Sequence, residues 1–177
     1  MKYLLYILLL CCSWGYGQGA DYVIAQKTLE HFAEYEKFRL IAQPNNEYIQ
    51  KVCVNGFYSG EVYGEETLDL RNLKFTYSNI PVQQWKPESQ LWGKIANKIE
   101  IVDDFEKIAK VSLLDYKKAN TYIALSNPAF SEDGNYAIIF FEHFTNMNGT
   151  EAEGFFLIFK KVNNEWSFFR QFTVYLT

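Results

Sequence analysis

Apolar side chains recur at spacings of three and four near the start of the chain. They interleave with charged residues, and the apolar set is Tyr22, Ala25, Leu29, Phe32, Ala33 and Tyr35. Because this period puts apolar residues on one face of a helix, it predicts an amphipathic helix over Asp21 to Leu40 with Asp21 as its N-cap. Pro44-Asn45-Asn46 ends the pattern.

Short strand candidates follow, separated by turn signals such as Asn55-Gly56. They are Tyr48 to Val54, Gly56 to Tyr63 and Thr67 to Tyr77. Residues 80–102 fit both helical spacing and a short strand at Ile99-Glu100-Ile101-Val102, so their structure stays open. Asp103 to Lys110 is predicted to be helical.

The last third of the chain carries the clearest strand pattern. The predicted strands are Tyr122 to Leu125, continuing toward Phe130, then Tyr136 to Thr145, Gly154 to Val162 and Glu165 to Leu176. Asp133-Gly134 and Asn163-Asn164 tolerate the positive φ angles of tight hairpins. Ala137, Ile139 and Phe141 share one strand face and Tyr136, Ile138, Phe140 and Phe144 the other, which predicts a central strand covered on both sides.

A two-residue turn at Asn163-Asn164 also fixes a register. Val162 then faces Glu165, Phe159 faces Phe168, and Phe155 faces Phe172. The same register puts Lys161 opposite Trp166 and Leu157 opposite Arg170. Arg170 then needs an acidic partner, for which Glu142 is the candidate, or a rim position with its head in water.

Together these patterns predict an α+β fold. An N-terminal amphipathic helix and a further helix would pack on an antiparallel, meander-like β-sheet. No repeat and no shift in composition marks a boundary, so residues 18–177 are predicted to form a single globular α+β domain.

Residues 1–17 have the pattern of a signal peptide. One basic residue, Lys2, precedes an apolar run from Leu4 to Cys12, and Gly15 and Gly17 supply small residues before a cut that leaves Gln18 first. The run is too short to span a membrane, and no later segment of the mature chain spans one. We expect a secreted or periplasmic protein; the alternative is a lipid anchor through Cys11 or Cys12.

Composition and charge narrow the classes of protein and partner. The chain has 177 residues, 49% of them hydrophobic and 21% charged, which is typical of a globular domain. Its net charge of −4 argues against nucleic acid as a partner. After cleavage only Cys53 remains of three cysteines, so no internal disulfide is possible, and we expect Cys53 to be a buried, unreactive thiol.

No phosphate-binding, nucleophile-elbow or zinc-ligand motif occurs in the sequence. With only two histidines, His31 and His143, we predict no metal and no cofactor, and the catalytic residues are unknown. Glu142 and His143 are adjacent, but strand neighbours point to opposite faces and cannot share a site without a bulge. The remaining candidates are acidic groups and a glycosylation sequon, namely Glu65-Glu66, Asp103-Asp104, Glu151, Glu153 and Asn148-Gly149-Thr150.

The segments Ser126 to Glu142 and Phe155 to Trp166, together with the short leader, resemble small exported Bacteroidota proteins of unknown function. That resemblance implies export but no activity. With 13 tyrosines and 15 phenylalanines, the chain favours a non-catalytic domain that binds an unknown protein or small ligand through an aromatic surface. The alternative is a small hydrolase- or isomerase-like enzyme in a cone-shaped sheet similar to the nuclear-transport-factor-2-like fold, with Glu142 or His143 facing a pocket.

Overall fold

The structure is a computed structural model that describes residues 19–32, 37–55, 73–79, 81–86, 90–103, 122–144 and 152–176. These residues form an α+β fold in which three helices accompany an eight-stranded mixed sheet curled into a half-barrel. The helices are α1 (residues 19–31), α2 (Glu47–Asn55) and a 3₁₀ helix (Gln90–Lys98). The strands are β1 (Phe38–Ile41), β2 (Phe75–Tyr77), β3 (Ile99–Val102), β4 (Tyr122–Leu125), β5 (Ala129–Ser131), β6 (Tyr136–Phe144), β7 (Ala152–Val162) and β8 (Glu165–Leu176).

The sheet is mixed, so the predicted antiparallel meander is wrong. Its order is β2-β5-β6-β4-β1-β3, and β7 continues from β6 to β8. β1 runs parallel to both β3 and β4, whereas the other pairs are antiparallel. Parallel pairing requires a long crossover connection, which a prediction based on neighbouring segments does not include.

The predicted first helix is too long. It ends at residue 31, and Phe38 to Leu40 belong to β1. Leu40 is fully buried, and its strand lies between two others, where it pairs Leu40 with Ile101 and with Ile123. Pairing on both edges satisfies the backbone of these residues and overrides their helical spacing.

The predicted strand Tyr48 to Val54 is wrong, because these residues form α2. Ile49 and Val52 are its buried residues, three positions apart. Asn46 precedes the helix, and its carbonyl accepts the Gln50 amide at 2.9 Å. Lys51 donates to Glu47 at 2.9 Å, an (i, i+4) pair of the kind that supports a helix.

The other predicted elements differ in outcome. Thr67 to Tyr77 is confirmed as β2 at its last three residues, and Ile99–Val102 takes the strand alternative. Tyr122 to Leu125 is a strand, but it does not continue to Phe130, because residues 126–128 separate β4 from β5. The strands β6, β7 and β8 are confirmed within two residues. Residues 1–18, 56–72 and 104–121 lie outside the described residues, with the leader, the Gly56 to Tyr63 strand and most of the Asp103 to Lys110 helix.

β6 is covered on both faces, as its pattern predicts. Ile139 and Phe141 pack with Leu29 of α1, while Ile138 and Phe140 pack with Ile49 of α2. All four β6 side chains are fully buried. The two helices therefore lie on opposite faces of the sheet. No helix among the described residues is long and apolar enough to span a membrane.

Asp21 lies in the first turn of α1 rather than at its N-cap, because the helix already begins at residue 19. The side chain is fully buried. The Ser78 hydroxyl donates to Oδ2 at 2.9 Å, and the Val82 amide also donates to the carboxylate. Burial outweighs both hydrogen bonds and raises the pKa of Asp21 to about 7.

Asp21→Asn should remove a pH dependence of stability. The native carboxyl keeps its proton to about pH 7, whereas the unfolded carboxyl loses it above its ordinary pKa of 3.8. Wild-type stability should therefore fall between these pH values, by on the order of 3 kcal/mol in total. Urea unfolding at several pH values measures this. Asp103→Asn, at an exposed position, is the control; an equal slope in wild type and Asp21→Asn would contradict the assignment.

Gly134 has a φ of 68° in the turn between β5 and β6, which confirms the predicted positive φ. A Cβ there would meet no atom within 4 Å, so substitution strains only the backbone. Gly134→Val should lower the free energy of unfolding by about 1 kcal/mol or more, whereas Gly134→Asn should lower it less because Asn tolerates this region. Thermal unfolding checks both variants, and an unchanged melting temperature for Gly134→Val would be inconsistent with strain.

Candidate interaction surface

The β7–β8 hairpin turns through two residues, as the sequence predicts. Asn163 and Asn164 have φ angles of 50° and 67°, and Val162 faces Glu165. Positive φ at both central residues is the type I′ arrangement, whose twist matches that of the flanking strands. The turn therefore fixes the start of the hairpin's register.

The register holds to Phe159–Phe168 and then changes. Beyond that pair Ile158 faces Arg170, so Phe169 is an extra residue that bulges from β8. The predicted pairs Phe155–Phe172 and Leu157–Arg170 are therefore wrong: Phe155 faces Thr173, and Leu157 faces Gln171. A bulge re-aims side chains without changing the alternating apolar pattern, so the sequence does not reveal it.

Phe168 and Phe169 emerge on opposite faces of β8. Phe168 stacks on His31 of α1 with ring centroids 4.0 Å apart. Phe169 meets Tyr136, on the α2 side, edge-on at 5.9 Å. The two phenylalanines keep exposed fractions of 43% and 37%, and Val162 beside the turn keeps 49%. Large apolar side chains therefore face solvent on both sides of one strand.

Cationic groups lie over the aromatic rings of this hairpin. The Lys161 ammonium is 5.4 Å from the Trp166 ring centroid, which confirms that predicted pair. On the other face the Lys160 ammonium and the Arg170 guanidinium lie 5.7 Å and 5.6 Å from the Phe169 ring. These distances are within the range of cation–π attraction. We call Lys160, Lys161, Val162, Trp166, Phe168, Phe169 and Arg170 the hairpin surface.

The structure places Arg170 and Glu142 apart. Arg170 is level with Ile158 and, through it, Ile138, four residues along β6 from Glu142. Four residues of strand span about 13 Å. The predicted pairing with Glu142 is therefore wrong, and Arg170 is half-buried with its guanidinium over Phe169, as the rim alternative predicts.

Glu142 and His143 also point to opposite faces, as predicted for strand neighbours. Glu142 accepts a hydrogen bond from Asn45 Nδ2 at 3.0 Å. His143 Nε2 lies 2.7 Å from Glu153 Oε2, directly across the β6–β7 pair. These two residues therefore do not come together as an acid–base pair.

The remaining candidates lie apart from one another. Cys53 is half-buried on α2, and burial raises the pKa of its thiol, which disfavours the reactive thiolate. His31 is exposed at the end of α1, and its ring contacts are with Phe32 and Phe168. Within the described parts of the chain, no three His, Cys, Asp or Glu side chains are grouped as metal ligands.

The acidic clusters give no common site. Asp103 is exposed, with Gln84 Nε2 3.5 Å from its Oδ1. Asp104, Glu65-Glu66, Glu151 and the sequon at Asn148 lie outside the described residues. The exposed Phe168-Phe169 pair was not singled out by its pattern, because an alternating strand predicts one side chain per face but not how much of each stays uncovered.

No protein-family model, curated protein or solved structure matches this chain. The resemblance to exported Bacteroidota proteins therefore stays a prediction. The function of this chain has to be inferred from its own geometry.

Phe159 and Phe168 face each other, yet they should contribute unequally to stability. Phe159 is 1% exposed and Phe168 is 43% exposed. Phe159→Ala should lower the free energy of unfolding by about 3–5 kcal/mol because it leaves a core cavity. Phe168→Ala should lower it by about 1 kcal/mol or less. Urea unfolding of both variants tests this, and equal losses would show that Phe168 belongs to the core.

Proposed function

We propose that this chain is an exported, non-catalytic binding domain whose hairpin surface seats in an acidic cleft of a partner protein. The observation that carries the proposal is the exposure of Phe168 and Phe169 on the two faces of β8. Exposed apolar side chains that are clustered, rather than scattered, favour an interaction site. Among the described residues only five large hydrophobic side chains are exposed, and three of them are on this hairpin.

Position in the sheet supports a partner that encloses the hairpin. Among the described strands β8 pairs only with β7, so it is an edge strand. Its two exposed rings point to opposite faces, and a flat partner would contact one ring only. A cleft that closes around the edge contacts both. The bulge at Phe169 interrupts the ladder, which disfavours simple addition of a partner strand along this edge.

Charge supports an acidic partner. Residues 160–170 contain Lys160, Lys161 and Arg170 against a single acid, Glu165, a local charge of 3 − 1 = +2. The whole chain has a net charge of −4, so the hairpin is a basic region on an acidic protein. Complementary charge accelerates encounter and fixes orientation, while the aromatic rings supply buried contact area.

The enzyme alternative receives less support. It needs Glu142 or His143 facing a pocket in the sheet, but these side chains engage Asn45 and Glu153. On the same two sheet faces, Ile139, Phe141, Ile138 and Phe140 are fully buried by the helices. A filled helix–sheet interface favours a binding domain.

Site-specific photocrosslinking in the source cells tests the cleft. A benzophenone amino acid is placed at position 168, at position 169, and at Val54 of α2, which is 76% exposed and serves as the control. Positions 168 and 169 should crosslink to the same protein through acidic segments of it, and position 54 should not.

Charge reversal supplies the second arm of that experiment. Lys160→Glu with Lys161→Glu should remove the crosslinks from both positions, whereas Lys98→Glu, on the 3₁₀ helix, should leave them in place. Crosslinking from one face only would contradict the cleft. Crosslinks that survive the reversal would contradict the acidic partner.

A further inference from the structure

A cavity of about 200 Å³ lies where three connecting segments meet, away from the hairpin surface. The segments are the approach to α2, the connection after β2, and the break between β4 and β5. Four amide side chains and one phenol line it, from Gln43, Asn46, Gln83, Asn127 and Tyr77. Two prolines and a valine complete the lining, and none of the lining residues is charged.

Hydrogen bonds between the segments hold the walls in place. The Asn127 amide donates to Asn46 Oδ1 at 2.8 Å, and Asn127 Nδ2 donates to the Val82 carbonyl at 2.9 Å. The Asn45 amide donates to the Leu125 carbonyl at 2.9 Å. One asparagine thus joins all three segments. A cavity with walls fixed in this way is preformed for a ligand.

Two buried polar atoms of this lining have no hydrogen-bond partner within the described chain: Asn127 Oδ1 and the Tyr77 hydroxyl. Asn127 is only 3% exposed. Buried polar groups are nearly always hydrogen-bonded, so two unpaired atoms on one cavity call for a partner that the protein itself does not supply. A ligand or water that reaches them would satisfy both.

The chemistry of the lining selects a neutral ligand. Burial raises the pKa of Tyr77 to about 12, so its phenol stays protonated and can donate as well as accept. Amide side chains likewise carry both donors and acceptors. A charged ligand would lose its hydration without meeting an opposite charge here, which is strongly unfavourable.

Size and polarity together narrow the class. A cavity of about 150 Å³ holds a molecule the size of benzene, so this one is large enough for a single six-membered ring with small substituents. Hydroxyl groups donate and accept at once, which matches a lining of amides and a phenol. Pro44, Pro81 and Val82 offer apolar surface to the carbon–hydrogen face of such a ring.

We infer that this cavity binds one neutral sugar ring, with Asn127 Oδ1 and the Tyr77 hydroxyl hydrogen-bonded to its hydroxyl groups. The ring is either a free monosaccharide or the terminal unit of a glycan. This site is separate from the hairpin surface, so either proposal can fail without the other.

Titration with a panel of neutral monosaccharides, followed by amide NMR, tests the inference. Glucose, galactose and N-acetylglucosamine are the probes, and glucuronate is the charged control. At least one neutral sugar should bind saturably and shift the Asn127 and Val82 amides, and glucuronate should not. The corresponding disaccharides distinguish the two sources: equal or tighter binding identifies a glycan terminus, whereas binding of the monosaccharide alone identifies a free sugar.

Tyr77→Phe is the decisive variant, because it removes only a hydroxyl that has no partner in the described chain. It should weaken sugar binding about tenfold while leaving the melting temperature unchanged or higher. Tyr136→Phe, outside the cavity lining, is the matched control and should bind normally. Failure of every sugar to shift the cavity amides, which would leave solvent as the sole occupant, overturns the inference. So does unchanged affinity in Tyr77→Phe.

Discussion

Burial of β6 on both faces is the constraint on which the other elements depend. A strand exposed to water on neither side needs a hydrogen-bonded neighbour on each edge and an apolar layer on each face. β7 lies along one edge, and β4 and β5 share the other. α1 covers the face of Ile139 and α2 covers the face of Ile138. Each helix therefore has its position fixed by one strand.

The shared edge of β6 connects this constraint to the cavity. Where β4 ends and β5 has not begun, Ser126 replaces the missing ladder: its Oγ accepts the Phe140 amide at 2.8 Å, and its own amide donates to the Phe140 carbonyl at 2.9 Å. The backbone of β6 thus stays satisfied while the chain turns away from the sheet. That departure carries Asn127 to the Val82 carbonyl and to Asn46. A break in a strand pair here builds a wall.

How far the sequence predicts the structure depends on how local the decisive contacts are. The strands β6, β7 and β8 and the Asn163-Asn164 turn depend on neighbouring residues, and their pattern predicts them. Tyr48 to Val54 has strand-like composition but becomes α2, because Ile49 and Val52 meet the sheet at helical spacing. β1 pairs with β3 and β4 from far along the chain, and no local signal specifies that. Both sites escape prediction for the same reason, since exposure and unpaired atoms are tertiary properties.

The unpaired atoms at the cavity are also an argument about stability. Leaving a buried polar atom without a partner costs about 1–3 kcal/mol, and a domain's whole stability is about 5–15 kcal/mol. Tyr77 Oη and Asn127 Oδ1 together therefore remove a substantial share of it in the absence of a ligand. Phenylalanine at position 77 would relieve part of that loss without changing the packing of the ring. The folding of this chain does not require the hydroxyl, so the hydroxyl is best explained by what enters the cavity.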